Sequence, residues 1–306
     1  MARLTVQHTT TYRYRQPVAF GEHRIMYRPR DSYDQRLVAA HIDIDPVPAS
    51  LHWMHDVFNN CVAVARFSSR GDRLRFCSTI TLDHLPDDAL EFPIAENARR
   101  YPFSYDQEDI PDLLRSIERQ YADRNNELMQ WARRFTRGSE PIGTQDLLVS
   151  MTRAIRRDFT YVRREEMGIQ APLQTLKLGS GSCRDFALLM MEAVRALGFA
   201  ARFVTGYLYS PSRDGAANRG GGSTHAWVQV YVPGAGWMEF DPTNGIVGSH
   251  DLIRVAVARD PAQAVPLWGT WTGFPSDALG LTVEVQVTSD AAEPMVDRGT
   301  LAQTGR

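Results

Sequence analysis

A glycine-serine loop that runs straight into an apolar helix most constrains what this chain can fold into. Leu178-Gly179-Ser180-Gly181-Ser182-Cys183-Arg184-Asp185 opens on small residues. Phe186, Leu189, Met190, Ala193, Val194 and Leu197 then share one face at helical spacing. Ser182, followed three residues later by Asp185, predicts a capping box in which Asp replaces the usual Glu or Gln. Gly198 predicts the C-terminal cap. Strand patterns follow over 201–209, 225–232 and 237–241. The expected core is therefore α+β, with the cysteine-bearing helix packed on an antiparallel sheet.

Upstream, residues 1–88 read as a β-rich N-terminal domain. Segment 4–14 is rich in β-branched and aromatic residues, and 37–46 ends in an alternating strand stopped by Pro46. Asn59-Asn60 marks a turn between strands, and 74–82 alternates again. Pro86, Pro93, Pro102 and Pro111 punctuate a connection over 89–111. The catalytic core is expected over 112–275, with helices over 126–135 and 144–159. In the second of these, Leu147, Leu148, Met151, Ala154 and Ile155 form one stripe. Residues 276–306 are expected to hold a final strand and a disordered tail. Segment 210–224, with Gly220-Gly221-Gly222, reads either as a gate over a site or as a solvated hairpin loop.

Bulk properties narrow the classes. A net charge of −2 over 306 residues gives no reason to expect nucleic acid. No apolar run approaches the ~18 residues that span a bilayer, so no membrane partner is expected. The first residues show no apolar signal-peptide core, and a reducing cytoplasm is the default expectation. Three cysteines without regular spacing argue against a disulfide framework and a zinc site. Cys61 and Cys77 fall in predicted strands and read as core residues. His52 and His55 do not suffice for a metal site, and no cofactor is expected.

Cys183 then stands out chemically. The thiolate is the nucleophilic form, and a helix N-terminus stabilises negative charge. Backbone N–H groups at the helix start also suit a developing oxyanion. His225 opens an alternating strand on which His225, Trp227, Gln229 and Tyr231 face one way. Asp241 closes the next strand and supplies a carboxylate to orient the histidine. The register is awkward. If Val232 pairs with Trp237, Asp241 lies opposite Val228, on the wrong face and roughly 10 Å from His225. An odd-length turn or a bulge at Gly234 and Gly236 must correct it. Each residue also has a plainer reading: a buried apolar thiol, a structural histidine, a turn aspartate. Their combination, in this order, favours a Cys/His/Asp triad.

Three segments carry a family resemblance: 181–187, 225–231 and 236–244, read as Gly181-Ser182-Cys183-Arg184-Asp185-Phe186-Ala187, His225-Ala226-Trp227-Val228-Gln229-Val230-Tyr231 and Gly236-Trp237-Met238-Glu239-Phe240-Asp241-Pro242-Thr243-Asn244. They resemble the motifs of the transglutaminase-like superfamily core. Segments 201–207 and 253–260 extend the likeness, and residues 1–85 resemble the β-rich domain that precedes this core in bacteria. The resemblance implies a papain-like core with Cys183 as nucleophile, His225 as base and Asp241 as orienting group. Arg184, Trp227 and Tyr207 are the candidates to touch substrate. Ser182 and Arg184 depart from the family, which often has a small apolar residue and Gln there; Asn59 stands where glycine is usual. Tyr161 and Gln174 are the candidates for a second oxyanion donor.

Three functions fit these residues. The first is a thiol-dependent amide hydrolase, acting on peptide or isopeptide bonds of a protein or peptide substrate. The second sends the same acyl-enzyme to an amine, a cross-linking transferase. The third is an inactive peptide-binding scaffold. The oligomeric state is not legible.

Overall fold

The computed structural model describes residues 2–85, 92–137, 141–163, 168–209 and 224–290. Loop 210–223 and the C-terminal tail lie outside these, as does Pro86. Five strands open the chain: β1 Ala2–Ile25, β2 Gln35–Asp45, β3 Ser50–His55, β4 Cys61–Arg66 and β5 Arg70–His84. They form one antiparallel sheet in the order β2-β5-β1-β4-β3. Tyr14, Val18, Phe20, Ile25, Tyr27 and Phe76 fill its first core. The β3–β4 turn is the one the Asn pair marks. Asn59 takes a left-handed φ of 65°, and the Asp56 carboxylate accepts from the N–H groups of Phe58 and Asn60. Because β3 is a strand, His52 and His55, three apart, point to opposite faces. Cys61 and Cys77 are only half-buried, so they are not the core residues their strand pattern suggests.

The middle of the chain is helical. In order come β6 Arg100–Tyr101, α1 Ile110–Ile117, α2 Glu127–Arg133, β7 Ile142–Gly143, α3 Thr144–Asp158, β8 Thr160–Tyr161, α4 Pro172–Leu178, β9 Ser180–Gly181 and α5 Cys183–Ala196. The predicted stripe of α3 is buried throughout. Gly198 follows α5 at a φ of 93°, as a C-terminal cap requires. The expectation of one apolar face for α5 is too modest, since nearly all of the helix is buried. Its polar residues are buried because they find partners. Glu192 accepts from the backbone of Gln120 and Tyr121 and pairs with Arg195 at 2.9 Å. Arg195 donates to the carbonyls of Ser116, Ala201 and Arg259.

The second sheet comprises β10 Ala201–Leu208, β11 His225–Val232, β12 Gly236–Asp241, β13 Ile246–Val247 and β14 Leu252–Ala258, in the order β13-β12-β11-β10-β14. Ala226, Val228, Val230 and Val232 belong to the core that α5 fills. The opposite face carries Arg202, His225, Trp227 and Gln229, by alternation. No helix among the described residues is long and apolar enough to cross a membrane.

The chain then returns to its beginning. β15 Leu267–Thr272 and β16 Ala278–Ser289 both pair antiparallel with β1. Residues 267–272, which the sequence pattern leaves in the catalytic core, therefore hydrogen-bond in the first sheet. β1 carries alternation along its whole length, and nothing local to residues 267–289 identifies their distant partner.

The two sheets are closely joined. Leu4, Val6, Ile80 and Leu82 pack on Tyr207, Ile253 and Val255. Gln35 and Asn60 treat the edge strand β14 as a partner strand would. Gln35 exchanges two hydrogen bonds with the Arg254 backbone, at 2.7 and 3.0 Å, and Asn60 two with Val257, at 2.7 and 2.9 Å. His8 sits at this junction, with Nδ1 3.0 Å from the Tyr207 hydroxyl and Nε2 3.2 Å from Thr10 Oγ1. Burial lowers its pKa to about 4. The unfolded chain binds this proton near 6.5, so stability falls as pH drops from 6.5 towards 4. The effect is at most about 3 kcal/mol. We expect His8→Gln to be less stable than wild type at pH 7.5, and urea titrations to show the deficit shrinking as pH approaches 4. A deficit constant with pH would refute this account.

Candidate active site

The turn into α5 is fixed by backbone pairing and one carboxylate. β8 and β9 pair in parallel, Tyr161 beside Gly181, with Val162 N–H donating to the Gly181 carbonyl at 2.9 Å. A Cβ on Gly181 would lie 2.8 Å from the Asp185 Cβ, so only glycine fits. Ser182 is extended, at a ψ of 176°. The Asp185 carboxylate accepts from Ser182 N–H at 2.8 Å, Ser182 Oγ at 2.9 Å and Gln170 N–H at 2.7 Å. Cys183 is thereby held as the first helical residue, its side chain 8% exposed within the rim of the core. The first-turn N–H groups of a helix have no intrahelical acceptor.

His225 and Asp241 meet on the second sheet. The separation between His225 Nε2 and Asp241 Oδ2 is 2.8 Å, and both side chains are fully buried. An odd-length turn solves the register. Val232 pairs with Gly236, leaving the three residues Pro233-Gly234-Ala235 as the loop, and Val228 pairs with Phe240. One step further, Asp241 lies across from Trp227, on the same face as His225. No bulge is needed. Gly234 and Gly236 make the turn at φ values of 84° and 73°. The pairing expected from sequence is off by one residue, because Val232 opposite Trp237 implies a four-residue loop.

The carboxylate of Asp241 is saturated. Oδ1 accepts from the N–H groups of Thr243 at 2.9 Å and Asn244 at 3.3 Å, and Oδ2 from Asn244 Nδ2 at 2.8 Å. Burial alone would raise its pKa, but the His225 charge and these hydrogen bonds lower it. It is therefore an acceptor, and Nε2 of His225 must be the donor. The other ring nitrogen, Nδ1, is buried and has no standard hydrogen-bond partner. Cys183 is the remaining group that acts on this ring by hydrogen bonding and charge. Burial, the largest influence, favours neutral imidazole. Asp241 and then Cys183 outweigh it, and the pKa of His225 rises to about 10. His225 thus lies between Asp241 and Cys183, both of which favour its protonated form.

The other candidates separate. Arg184 is exposed beside Cys183. Tyr161 is half-buried; burial raises its pKa first, then negative charge at Cys183, while Arg163 and Arg184 oppose the rise. Gln174 is exposed on α4. Trp227 does not line a cleft: it is fully buried, stacks on His225 with centroids 6.0 Å apart, and donates its indole N–H to Glu239. Tyr207 cannot touch substrate either, since it is 1% exposed and committed to His8 across the junction. Strand alternation does not reveal what covers either residue: Trp227 packs with Val204, Leu252 and Val257, and Tyr207 with Leu4, Val6 and Ile80 of the first sheet. Three supporting residues escape a motif-based reading: Asp185 as an acceptor for Gln170, Asn244 as a brace for Asp241, and Glu239 beneath Trp227. For Asn244 a signal exists, an Asn three residues beyond an aspartate in a turn.

A buried thiol at a helix start, faced by a histidine-aspartate pair on an antiparallel sheet, defines a papain-like class of fold. Comparison with known proteins narrows it. The profile of the transglutaminase-like superfamily matches residues 129–242, and that of the bacterial transglutaminase-like N-terminal region matches residues 4–83. The chain belongs to the transglutaminase-like superfamily. An uncharacterized protein of Mycobacterium tuberculosis is 29% identical over 301 residues, covering 92% of each chain. A protein-glutamine gamma-glutamyltransferase of Pseudomonas aeruginosa is 37% identical over 71 residues, 21% of this chain and 10% of that protein. The solved structure of a candidate cysteine protease from Cytophaga hutchinsonii superposes with a TM-score of 0.68 at 18% identity, covering 95% of this chain and 92% of that one. It shares the fold.

Proposed function

We propose that this protein is a thiol-dependent amide hydrolase that works through an acyl-enzyme on Cys183, His225 and Asp241. The observation that carries the reading is the ring of His225, hydrogen-bonded through Nε2 to Asp241 at 2.8 Å and electrostatically coupled to Cys183. The thiolate attacks the carbonyl carbon, and the C–N bond breaks as the imidazolium gives its proton to the leaving nitrogen. Neutral His225 then takes a proton from water as that water attacks the thioester, the C–S bond breaks, and the carboxylic acid leaves with Cys183 returned as thiolate beside the imidazolium. Asp241 orients the ring and offsets its charge throughout. The first-turn N–H groups of α5 serve the oxyanion, with the Tyr161 hydroxyl as second donor. The substrate is a protein or peptide, and a reducing compartment, the cytoplasm by default, keeps the thiol free.

Transfer to an amine uses the same acyl-enzyme, and the transferase-named relative of Pseudomonas aeruginosa brings it forward as the second reading. The local charge argues for water. Arg163 and Arg184 both act electrostatically on Tyr161, on which Cys183 also acts, and such cations repel the ammonium of a lysine acceptor. The test is p-nitrophenyl acetate with and without cadaverine. We expect a burst of p-nitrophenolate, an acetyl adduct on Cys183 by mass spectrometry, and acetate as the main product in either condition. Predominant acetyl-cadaverine would establish the transferase. An unreactive Cys183 would leave the binding scaffold.

A further inference from the structure

Between the two sheets lies a cavity of about 530 Å³. Segment 30–35 and Asn60 wall it on one side, and β11, β12 and β14 on the other. Cys183, His225 and Asp241 do not line it. The cavity is therefore separate from the proposed reaction centre.

Three arginines reach this cavity, and their partners differ. Arg254 is neutralised, pairing with Asp34 at 3.0 Å and with Glu239 at 2.6 Å. Arg202 has no such partner. Its Nε donates to the neutral amide oxygen of Gln229 at 2.6 Å, and its guanidinium lies 4.1 Å from the centre of the Trp237 ring. Glu239 acts on it only at a distance, through charge without a hydrogen bond. Burial, Arg254 and Arg30 all work against its charge, holding its pKa down to about 10. Arg30 likewise meets a neutral group: with the Asn59 amide turned to present its oxygen, it donates two bonds, at 2.8 and 3.1 Å.

Among the described residues, then, two arginines on one cavity are held by amides rather than carboxylates. Amide acceptors orient a guanidinium without cancelling its charge. With Nε taken by Gln229, the terminal nitrogens of Arg202 remain for the two oxygens of a planar or tetrahedral anion. Around them stand Phe58, Phe92 and Trp237, a flat apolar lining. The rest of the lining is largely polar and includes Asp31, Asp34 and Glu239, the last two already engaged by Arg254. We propose that this cavity binds a small oxyanion-bearing ligand, a carboxylate or phosphate on an aromatic or apolar body, gripped by Arg202 and Arg30.

The test is calorimetric titration of the full chain with phenyl phosphate, benzoate and the neutral analogue benzamide. We expect one saturable site for at least one of the two anions and none for benzamide. Arg202→Gln should weaken binding at least tenfold, Arg30→Gln several-fold, and Arg202→Lys should recover part of the loss. Prior alkylation of Cys183 with iodoacetamide should change nothing. Phenyl phosphate alone would assign a phosphate ligand; benzoate alone, or both anions, a carboxylate one. Either supports the site. Absence of saturation by both anions up to about 10 mM, well above a useful affinity, would overturn it. So would undiminished binding by folded Arg202→Gln, or loss of binding on Cys183 alkylation. Should Arg202→Gln not fold, Arg30→Gln with unchanged affinity would serve the same end.

Discussion

Replacing His225 with alanine is expected to slow alkylation of Cys183 by iodoacetamide at neutral pH by at least tenfold, and to lower kcat/KM for amide cleavage by about 10² to 10⁴, the usual worth of a positioned acid-base group. Cys183→Ala should leave no acyl-enzyme at all. Both effects run through charge. Below a pKa of about 10 the folded protein keeps an imidazolium at position 225, anchored by the 2.8 Å contact with Asp241. Such a cation raises the reactivity of a neighbouring sulfur nucleophile and supplies the proton the leaving nitrogen needs. As pH rises through about 10 the proton is lost, and cleavage should fall on the alkaline side. Asp241 is the foremost group raising this pKa, so Asp241→Asn should move the alkaline limb to lower pH. The same linkage touches stability. A histidine whose folded pKa is raised stabilises fully below about 6.5 and loses that contribution as pH climbs to about 10. A Cys183 that alkylates equally fast in wild type and His225→Ala would sink the pairing.

Legibility varies with the range of the interaction. The helix, its Ser182–Asp185 start and the strand bearing His225 follow from spacing within a few residues, and they stand where the sequence puts them. The His225–Asp241 contact is legible except for one residue of loop length, because Pro233-Gly234-Ala235-Gly236 allows more than one hairpin closure. What spacing does not carry is which surface covers a strand's second face. Trp227 alternates as a cleft residue would, yet Val204, Leu252 and Val257 pack around it, and the first sheet covers Tyr207. The return of β15 and β16 to β1 is equally hidden, since pairing over such distance leaves no local mark. Buried charge is hidden in the same way. Nothing local to Glu239 marks it as the point on which the indole of Trp227, the amide of Gln229 and Arg254 converge.

Asp185→Ala should cost about 3 kcal/mol of unfolding free energy, measured by urea titration, and should also slow Cys183 alkylation. Asp185 is completely buried, two residues beyond Cys183 in the same helix. Its carboxylate gathers the N–H and hydroxyl of Ser182 and the backbone N–H and side-chain amide of Gln170. Alanine leaves those donors without their acceptor in a place water does not reach, and each buried donor so stranded costs about 1–3 kcal/mol before relaxation. The loss is not only energetic. Ser182 is extended and Cys183 helical, and the hydrogen bonds to Asp185 fix that transition, so the thiol loses its heading towards His225. Asp185→Asn separates the two contributions. Its single oxygen at the Oδ2 position keeps the Ser182 bonds, while its NH₂ group faces the Gln170 N–H, donor against donor. We therefore expect an intermediate loss of stability with alkylation close to wild type. If Asp185→Ala lost less than about 1 kcal/mol, the carboxylate would not be the clamp described. If Asp185→Asn lost reactivity as fully as Asp185→Ala, the charge, rather than the bonds to Ser182, would be what readies the cysteine.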